Sequence, residues 1–233
     1  MEVLAHGDEV GLTRLAADAA LPKATAHRLL GQLVALGAVQ SCSGRYRLGP
    51  RTFRLGQAWH PARALRAAAA RPLRELSANN GKLSLSLAVP EGGHTIVVAG
   101  VRGEADQVFP LHPGVVLPSG SAAQLVLTAY EPEAGAPEGW ARAAWAREAA
   151  RVRERGFVFE YGQCVSALSG VAAPVFSAAG RVVAAVAAIA LDRELIASLG
   201  GAVARTAAVI GANLSRLPAA PDRPARLEPA AAR

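Results

Sequence analysis

A chain of 233 residues has room for a small domain and a second one with a sizeable core. Its apolar content is 52%, carried mostly by Ala, Val and Leu, yet the longest apolar run, 182–191, is about half of what a bilayer span needs. The start also carries no basic-then-apolar leader, so a cytoplasmic protein with no membrane partner is expected. The net charge is +7, and residues 1–66 hold nine Lys or Arg against four acids, which favours a polyanionic partner for the N-terminal part.

Residues 11–20 place Leu12, Leu15, Ala16 and Ala19 at helical spacing, and a turn at Ala20-Leu21 leads to Pro22, suited to a first helical position. The next stretch, 21–39, predicts a longer helix. At about 100° per residue, Ala26, Leu29, Leu30, Leu33 and Leu36 fall in one arc of roughly 120°, a core-facing stripe. The opposite face carries Ala24, His27, Arg28, Gly31 and Ala35, flanked by Lys23, Thr25 and Gln32: small residues that permit close approach, with donors in the first turns. That is the composition a major-groove helix needs. Gly37 ends the helix, and Ser43-Gly44 turns a hairpin whose second strand, Arg45-Tyr46-Arg47-Leu48, alternates basic and apolar residues. A winged helix-turn-helix over 1–48 follows, with a linker helix over 49–71.

Asn79-Asn80-Gly81 stops the Ala- and Arg-rich linker region, in which Pro72 is a potential kink. Leu83, Leu85, Leu87 and Val89 then alternate with Ser84, Ser86 and Ala88, a half-buried strand, turned by Gly92-Gly93 into a second strand at 95–101. A third strand is expected at 107–111, helices at 120–130 and 139–155, strands at 157–161, 171–176 and 182–189, and a last helix from Asp192 to Leu217. The order implies a mixed or antiparallel sheet with helices packed on it, an α+β arrangement over 72–217. The Pro- and Ala-rich stretch 218–233 reads as a disordered tail.

Cys42 and Cys164 fall in different predicted domains, which argues against a disulfide, and the five His residues form no pair or cluster at metal-ligand spacing. No cofactor, metal or catalytic grouping is expected. Cys164 reads as a small buried hydrophobe rather than a nucleophile.

Taken together, the segments LTRLAADAALPKATAHRLLGQLVALGAV and GRYRLGPRTFRLG, ARPLRELSANNGKLSLSLAV, LPSGSAAQLVLTAYEPE, RERGFVFEYGQ and VAAPVFSAAGRVVAAV resemble the IclR family of bacterial transcriptional regulators over nearly the whole chain. The resemblance implies a dimer or tetramer held partly through the head and linker helices, and a C-terminal effector domain of GAF-like fold that binds a small molecule and alters operator affinity. The chain departs from the family in two places. The family's first head helix is preceded by more residues than 1–7 supply, so that helix looks truncated. In the effector domain, Gln163, Val165 and Ala167 stand where the family carries acidic residues and a Gly, and Ala187 and Ile189 stand for its usual serines.

The expected DNA contacts are Lys23, Thr25, His27 and Arg28 in the major groove, Arg45 and Arg47 from the wing, and Arg14 and Arg51 on flanking phosphates. For the effector pocket the expected residues are Ser119, Gly120 and Ser121, whose amides would sit at a helix N-terminus, with Gln163, Gly170, Ala187 and Ile189. Ser119 and Ser121 fit plain helix capping equally well. The pocket reads as less suited to an anionic keto-acid than the family norm, which leaves a larger, more apolar ligand or none. The expected function is a ligand-responsive regulator of double-stranded operator DNA, not an enzyme. The alternatives are a non-sensing DNA-binding protein and, from the enzyme class, a bifunctional protein whose second domain turns over its ligand.

Overall fold

The computed structural model describes residues 2–5, 9–131 and 135–217, which divide into two compact units, the first ending at Arg63 and the second beginning at Ala64. The expected tail, 218–233, lies outside the described residues.

The first unit begins with a single helical turn, α1 (Glu2–Ala5), and a two-residue strand, β1 (Val10–Gly11). The helix-turn-helix pair is α2 (Leu12–Asp18) and α3 (Lys23–Ala35), followed by the hairpin β2 (Val39–Cys42) and β3 (Arg45–Leu48). Ser43 at φ 49° and Gly44 at φ 76° are both left-handed, the combination that matches a two-residue turn to the twist of its strands. β1 adds to β3 and makes a three-stranded sheet in the order β1-β3-β2, a strand that the sequence pattern does not announce. Leu4, Leu15, Leu30 and Val39 form the core of the unit, with Leu12, Leu33 and Tyr46 packed around them.

The core stripe of α3 is narrower than expected. Ala26, Leu30 and Leu33 line it, whereas Leu29 and Leu36 are exposed, Leu36 at 55%. A unit this small covers only the i, i+4, i+7 row of the helix. Pro22 occupies the N-cap rather than the first helical position, and its carbonyl accepts the Ala26 N–H at 3.0 Å. At the other end the Gly37 N–H donates to Val34 (2.8 Å) and the Ala38 N–H to Leu33 (3.0 Å), the paired bonds of a Schellman ending, which φ +68° at Gly37 permits.

The expected linker helix is two helices, α4 (Pro50–Gln57) and α5 (His60–Ala78), and the second runs past position 71. The Ala58 N–H closes α4 on the Arg54 and Leu55 carbonyls, and Pro61 falls at the second position of α5, where a missing amide hydrogen costs no helix bond. Pro72 lies inside α5. It cannot donate to the Ala68 carbonyl four residues back, and Asn213 Nδ2 donates to that carbonyl instead, at 3.1 Å.

The second unit is built on a six-stranded sheet, antiparallel at every pairing, in the order β6-β5-β4-β9-β8-β7. The strands are β4 (Ser84–Glu91), β5 (His94–Val101), β6 (Val116–Leu117), β7 (Val158–Tyr161), β8 (Ser169–Phe176) and β9 (Val182–Ala190). Two helices, α6 (Ala122–Ala129) and α7 (Arg142–Arg155), build a core on the face that carries Ala172, Ala185 and Ala187. The short α8 (Arg193–Ser198) and α9 (Gly200–Arg216) pack on β8 and β9 as well, α9 so closely that a Cβ on Gly211 would lie 2.8 Å from the Phe176 carbonyl oxygen. With helices on both faces, β4 is not half-buried: Ser84 and Ser86 are as inaccessible as Leu85 and Leu87.

Two further expectations change. The third strand lies at Val116–Leu117 rather than 107–111, because Glu104–Gln107 forms a 3-10 turn in which the Gly103 N–H is held by Ser84 Oγ at 3.1 Å. The last helix is broken at Leu199. Asp192 caps α8 through the Glu194 and Leu195 amides at 2.9 and 3.1 Å, and α9 restarts at Gly200, where any side chain would run into the Phe157 ring, 2.4 Å from a Cβ.

Candidate nucleic-acid interface and effector cavity

On the first unit, Lys23, His27 and Arg28 are exposed on α3 and Thr25 is partly so, Arg28 opposite the Ala26-Leu30-Leu33 row and Lys23 in the first turn. Gly31 is on the exposed side too, and a methyl added there would have nothing within 4 Å. The other expected DNA contacts already have partners within the protein. Arg14 pairs with Asp18 at 3.5 Å. Arg45 donates through Nε and Nη2 to the Glu9 carbonyl at 3.0 and 2.5 Å, tying β1's approach to the wing. Arg47 reaches Gln40 Oε1 at 3.1 Å and Glu9 Oε1 at 3.4 Å. Arg51 Nη1 donates to the Leu36 carbonyl at 2.9 Å, one of the orphan acceptors at the C-terminal end of α3, where a cation also complements the helix dipole. Arg45, Arg47 and Arg51 thus position the wing and the helix end, and Lys23, His27 and Arg28 are the donors presented by α3 itself.

In the second unit the basic run at the end of α7 is structural. Arg151 and Arg155 both pair with Glu148 at 3.5 Å, and Arg153 Nη1 caps α6 at the Ala129 carbonyl.

A cavity of about 50 Å³ lies between the sheet and the start of α6, lined by Ser86, Phe109, Leu111, Leu117, Ser121, Ala122, Glu160, Cys164, Gly170, Ala187 and Ile189, among others. Its floor follows from strand register. Glu160 faces Gly170, Gly170 faces Ile189, and Ser86 faces Ala187, residues that share one face because side chains repeat every second position. Of the expected pocket residues, Ser121, Gly170, Ala187 and Ile189 are therefore brought together at the cavity. Ser119, Gly120 and Gln163 are not among its lining residues; they engage its surroundings through the backbone. The Ser119 carbonyl accepts Cys164 Sγ–H at 3.2 Å, the Gly120 N–H donates to Gln124 Oε1 at 2.5 Å, and the Gln163 N–H donates to Glu160 Oε1. The Ser121 N–H is taken by the Pro118 carbonyl at 3.2 Å and its hydroxyl accepts the Gln124 N–H at 3.4 Å, so Ser121 caps α6. The Gly120 and Ser121 amides are thus both occupied within the protein, and of the two expectations for Ser121, ligand contact and helix capping, the hydrogen bonds carry out the capping.

Ser86, Glu160 and Cys164 are cavity residues that the sequence reading did not assign to the pocket. Ser86 is 1% exposed, and its hydroxyl has no hydrogen-bond partner among the described residues. Glu160 is 6% exposed, its Oε1 accepting the amides of Gln163 and Cys164, the latter at 3.1 Å. Its phase in FVFEY, in step with the buried Val158 and out of step with Phe157, Phe159 and Tyr161, was the available signal. Burial, and then the Glu160 charge, push the Cys164 thiol up to about 11, so at neutral pH it is a protonated donor and not a nucleophile. Among the described residues no group of three or more His, Cys, Asp or Glu could hold a metal ion, and no helix is long and apolar enough to cross a membrane.

Residues 1–41 match the family model for the IclR helix-turn-helix domain. The glycerol operon regulatory protein of Streptomyces coelicolor is 34% identical over 138 residues, 58% of this chain and 54% of its own, so the chain spans about half the length of the curated relative it matches. Among solved structures, an IclR homologue from Microbacterium hydrocarbonoxydans complexed with 4-hydroxybenzoate aligns over 88% of this chain and 91% of its own at 24% identity, with a TM-score of 0.76. Pseudomonas aeruginosa HmgR aligns over 90% and 93% at 27% identity, with a TM-score of 0.68. The IclR-type helix-turn-helix matched over residues 1–41 and this likeness along nearly the full length agree with the α+β fold described above.

Proposed function

We propose that the protein is a DNA-binding transcriptional regulator whose operator affinity is set by a small molecule held in the cavity of the second unit. The observation that carries this reading is the exposed face of α3, where Lys23, His27 and Arg28 flank a strip of small residues that lets the helix backbone approach a groove floor. Thr25 and Arg28 are assigned to bases and phosphates, while Arg45, Arg47 and Arg51 add phosphate contacts from a wing that their internal bonds hold in place. A twofold assembly, dimer or tetramer, reading a partly palindromic site in the cytoplasm completes the proposal, with domains at 1–48, 49–71 and 72–217 and with no catalytic step assigned. The IclR homologue complexed with 4-hydroxybenzoate among its structural neighbours supports the sensing role by analogy of fold. The test is a salt titration of binding to the DNA upstream of the protein's own gene against scrambled DNA of equal length. Preferential, salt-steep retention of the upstream fragment is the expected result, and equal weak binding to both refutes the reading.

A further inference from the structure

The cavity described above is asymmetric in its chemistry. Its lining contains no Lys, Arg or His, and the one charged group in it is the Glu160 carboxylate. The backbone donors that could have received an anion are spent, Gly120 on Gln124 and Ser121 on Pro118. Opposite Glu160, three strands away across the sheet, the buried Ser86 hydroxyl has no partner among the described residues and lines the same space. Between them lie Gly170, Ala187, Ile189, Leu117 and Ala122, all apolar, and the Ser121 hydroxyl on that side is engaged by the Gln124 N–H. An anion placed there would lose its hydration, gain no counter-charge and meet a like charge, whereas a hydroxyl or ammonium group would be drawn to the carboxylate.

We infer that this cavity takes a small apolar molecule bearing an uncharged or cationic hydrogen-bond donor, an alcohol, phenol or amine, and rejects carboxylates. The inference rests on the proposal that the cavity is the effector site, and it separates this chain from its structural neighbour bound to 4-hydroxybenzoate. Ser86 and Glu160 are the specificity-determining residues, one at each end of the apolar floor.

The experiment uses the full chain and three two-carbon probes with different heads, of a size the cavity can hold: ethanol, ethylamine and acetate, titrated by calorimetry and by thermal shift. The alcohol or the amine is expected to bind at least tenfold tighter than acetate. Glu160→Gln keeps an acceptor oxygen for the Gln163 and Cys164 amides but removes the charge, and should narrow that ratio by about tenfold. Ser86→Ala should weaken the favoured probe severalfold while leaving the unliganded protein at least as heat-stable as the parent, so the idea stays testable even if the first variant fails to fold. Acetate binding as tightly as the others, no binding by any of the three, or an unchanged ratio in Glu160→Gln overturns the inference. Retention of upstream DNA is read in the same samples. Probe selectivity without any DNA preference refutes the regulator and leaves the ligand class standing; DNA release by acetate alone does the reverse.

Discussion

Gly31→Ala should stabilise the protein and damage its DNA binding at the same time. Gly31 is in the middle of α3, exposed, and a Cβ built there meets nothing within 4 Å, so the substitution introduces no clash in the free protein. Removing the excess backbone freedom of a mid-helix glycine stabilises by about 0.5–1 kcal/mol. For a unit of this size a change of 1 kcal/mol moves the midpoint by about 4–8 °C, which predicts a rise of about 2–8 °C in the head's transition, seen by calorimetry or by far-UV circular dichroism. The same methyl projects from the strip of small residues next to Arg28, and if that strip lies against the groove, operator affinity should fall roughly tenfold, about 1.4 kcal/mol. Gly56→Ala in α4 is the control, since it also has open space around it and should leave DNA binding unchanged. A lower melting temperature would contradict the packing, and a stabilised variant that binds the upstream fragment as well as the parent would refute the assignment of this face to DNA.

Arg28→Ala should weaken upstream DNA binding far more than Arg205→Ala in α9, and should reduce the slope of log affinity against log salt by about 1; equal effects in filter binding would sink the docking face. Gly49→Ala should destabilise the head by roughly 2–4 kcal/mol in urea melts, because its Cβ would lie 2.3 Å from the Gly37 carbonyl oxygen while its own N–H donates to Ala38 at 2.8 Å, and an unchanged midpoint would show that the turn can yield. Iodoacetamide at pH 8 should label the exposed Cys42 well before Cys164, whose thiolate population falls about 100-fold when its pKa rises from 9.0 to about 11; comparable rates by mass spectrometry would contradict this. The folded state holds that proton more tightly than the unfolded chain does, so Cys164 supports stability below pH 9 and the support is lost as pH climbs toward 11. Since Cys164 is only partly buried, the alkaline loss should be well under the full value of the shift, and Cys164→Ala should flatten it.

The head was legible because its signals are local. The Ala26-Leu30-Leu33 row, the Gly37 ending and the Ser43-Gly44 turn each depend on a few neighbouring residues, and each is found in place. What escaped was decided at longer range. Leu29 and Leu36 belong to the apolar arc by angle, yet the unit has too little mass to cover them. Ser84 and Ser86 alternate with leucines as an outward face would, and are buried because helices lie on both sides of the sheet. Gly200, which follows the break at Leu199, is set against a ring forty-three positions earlier in the chain, Phe157. The candidate cavity was half visible: Gly170, Ala187 and Ile189 came from resemblance and Ser121 from its place at a helix N-terminus, while Glu160 and Ser86 required strand phase and two-sided burial, and the occupation of the Gly120 amide by Gln124 could not be read from spacing.

The order β6-β5-β4-β9-β8-β7 carries a consequence for the birth of the molecule. The centre of the sheet is the pairing of β4 with β9, in which Ser84 meets Ile189. On the ribosome β4 emerges long before its partner, and until the last strand is made it can form only the β5 hairpin beside it, with the other edge bare. The head, whose contacts close within its first few dozen residues, can fold while this happens; the second unit must wait, since long-range pairing has to pay its loop-closure entropy before any contact rewards it. A nascent chain arrested before residue 182 would therefore carry a finished α3 while β9, and with it the Ala187 and Ile189 lining of the cavity, is still missing.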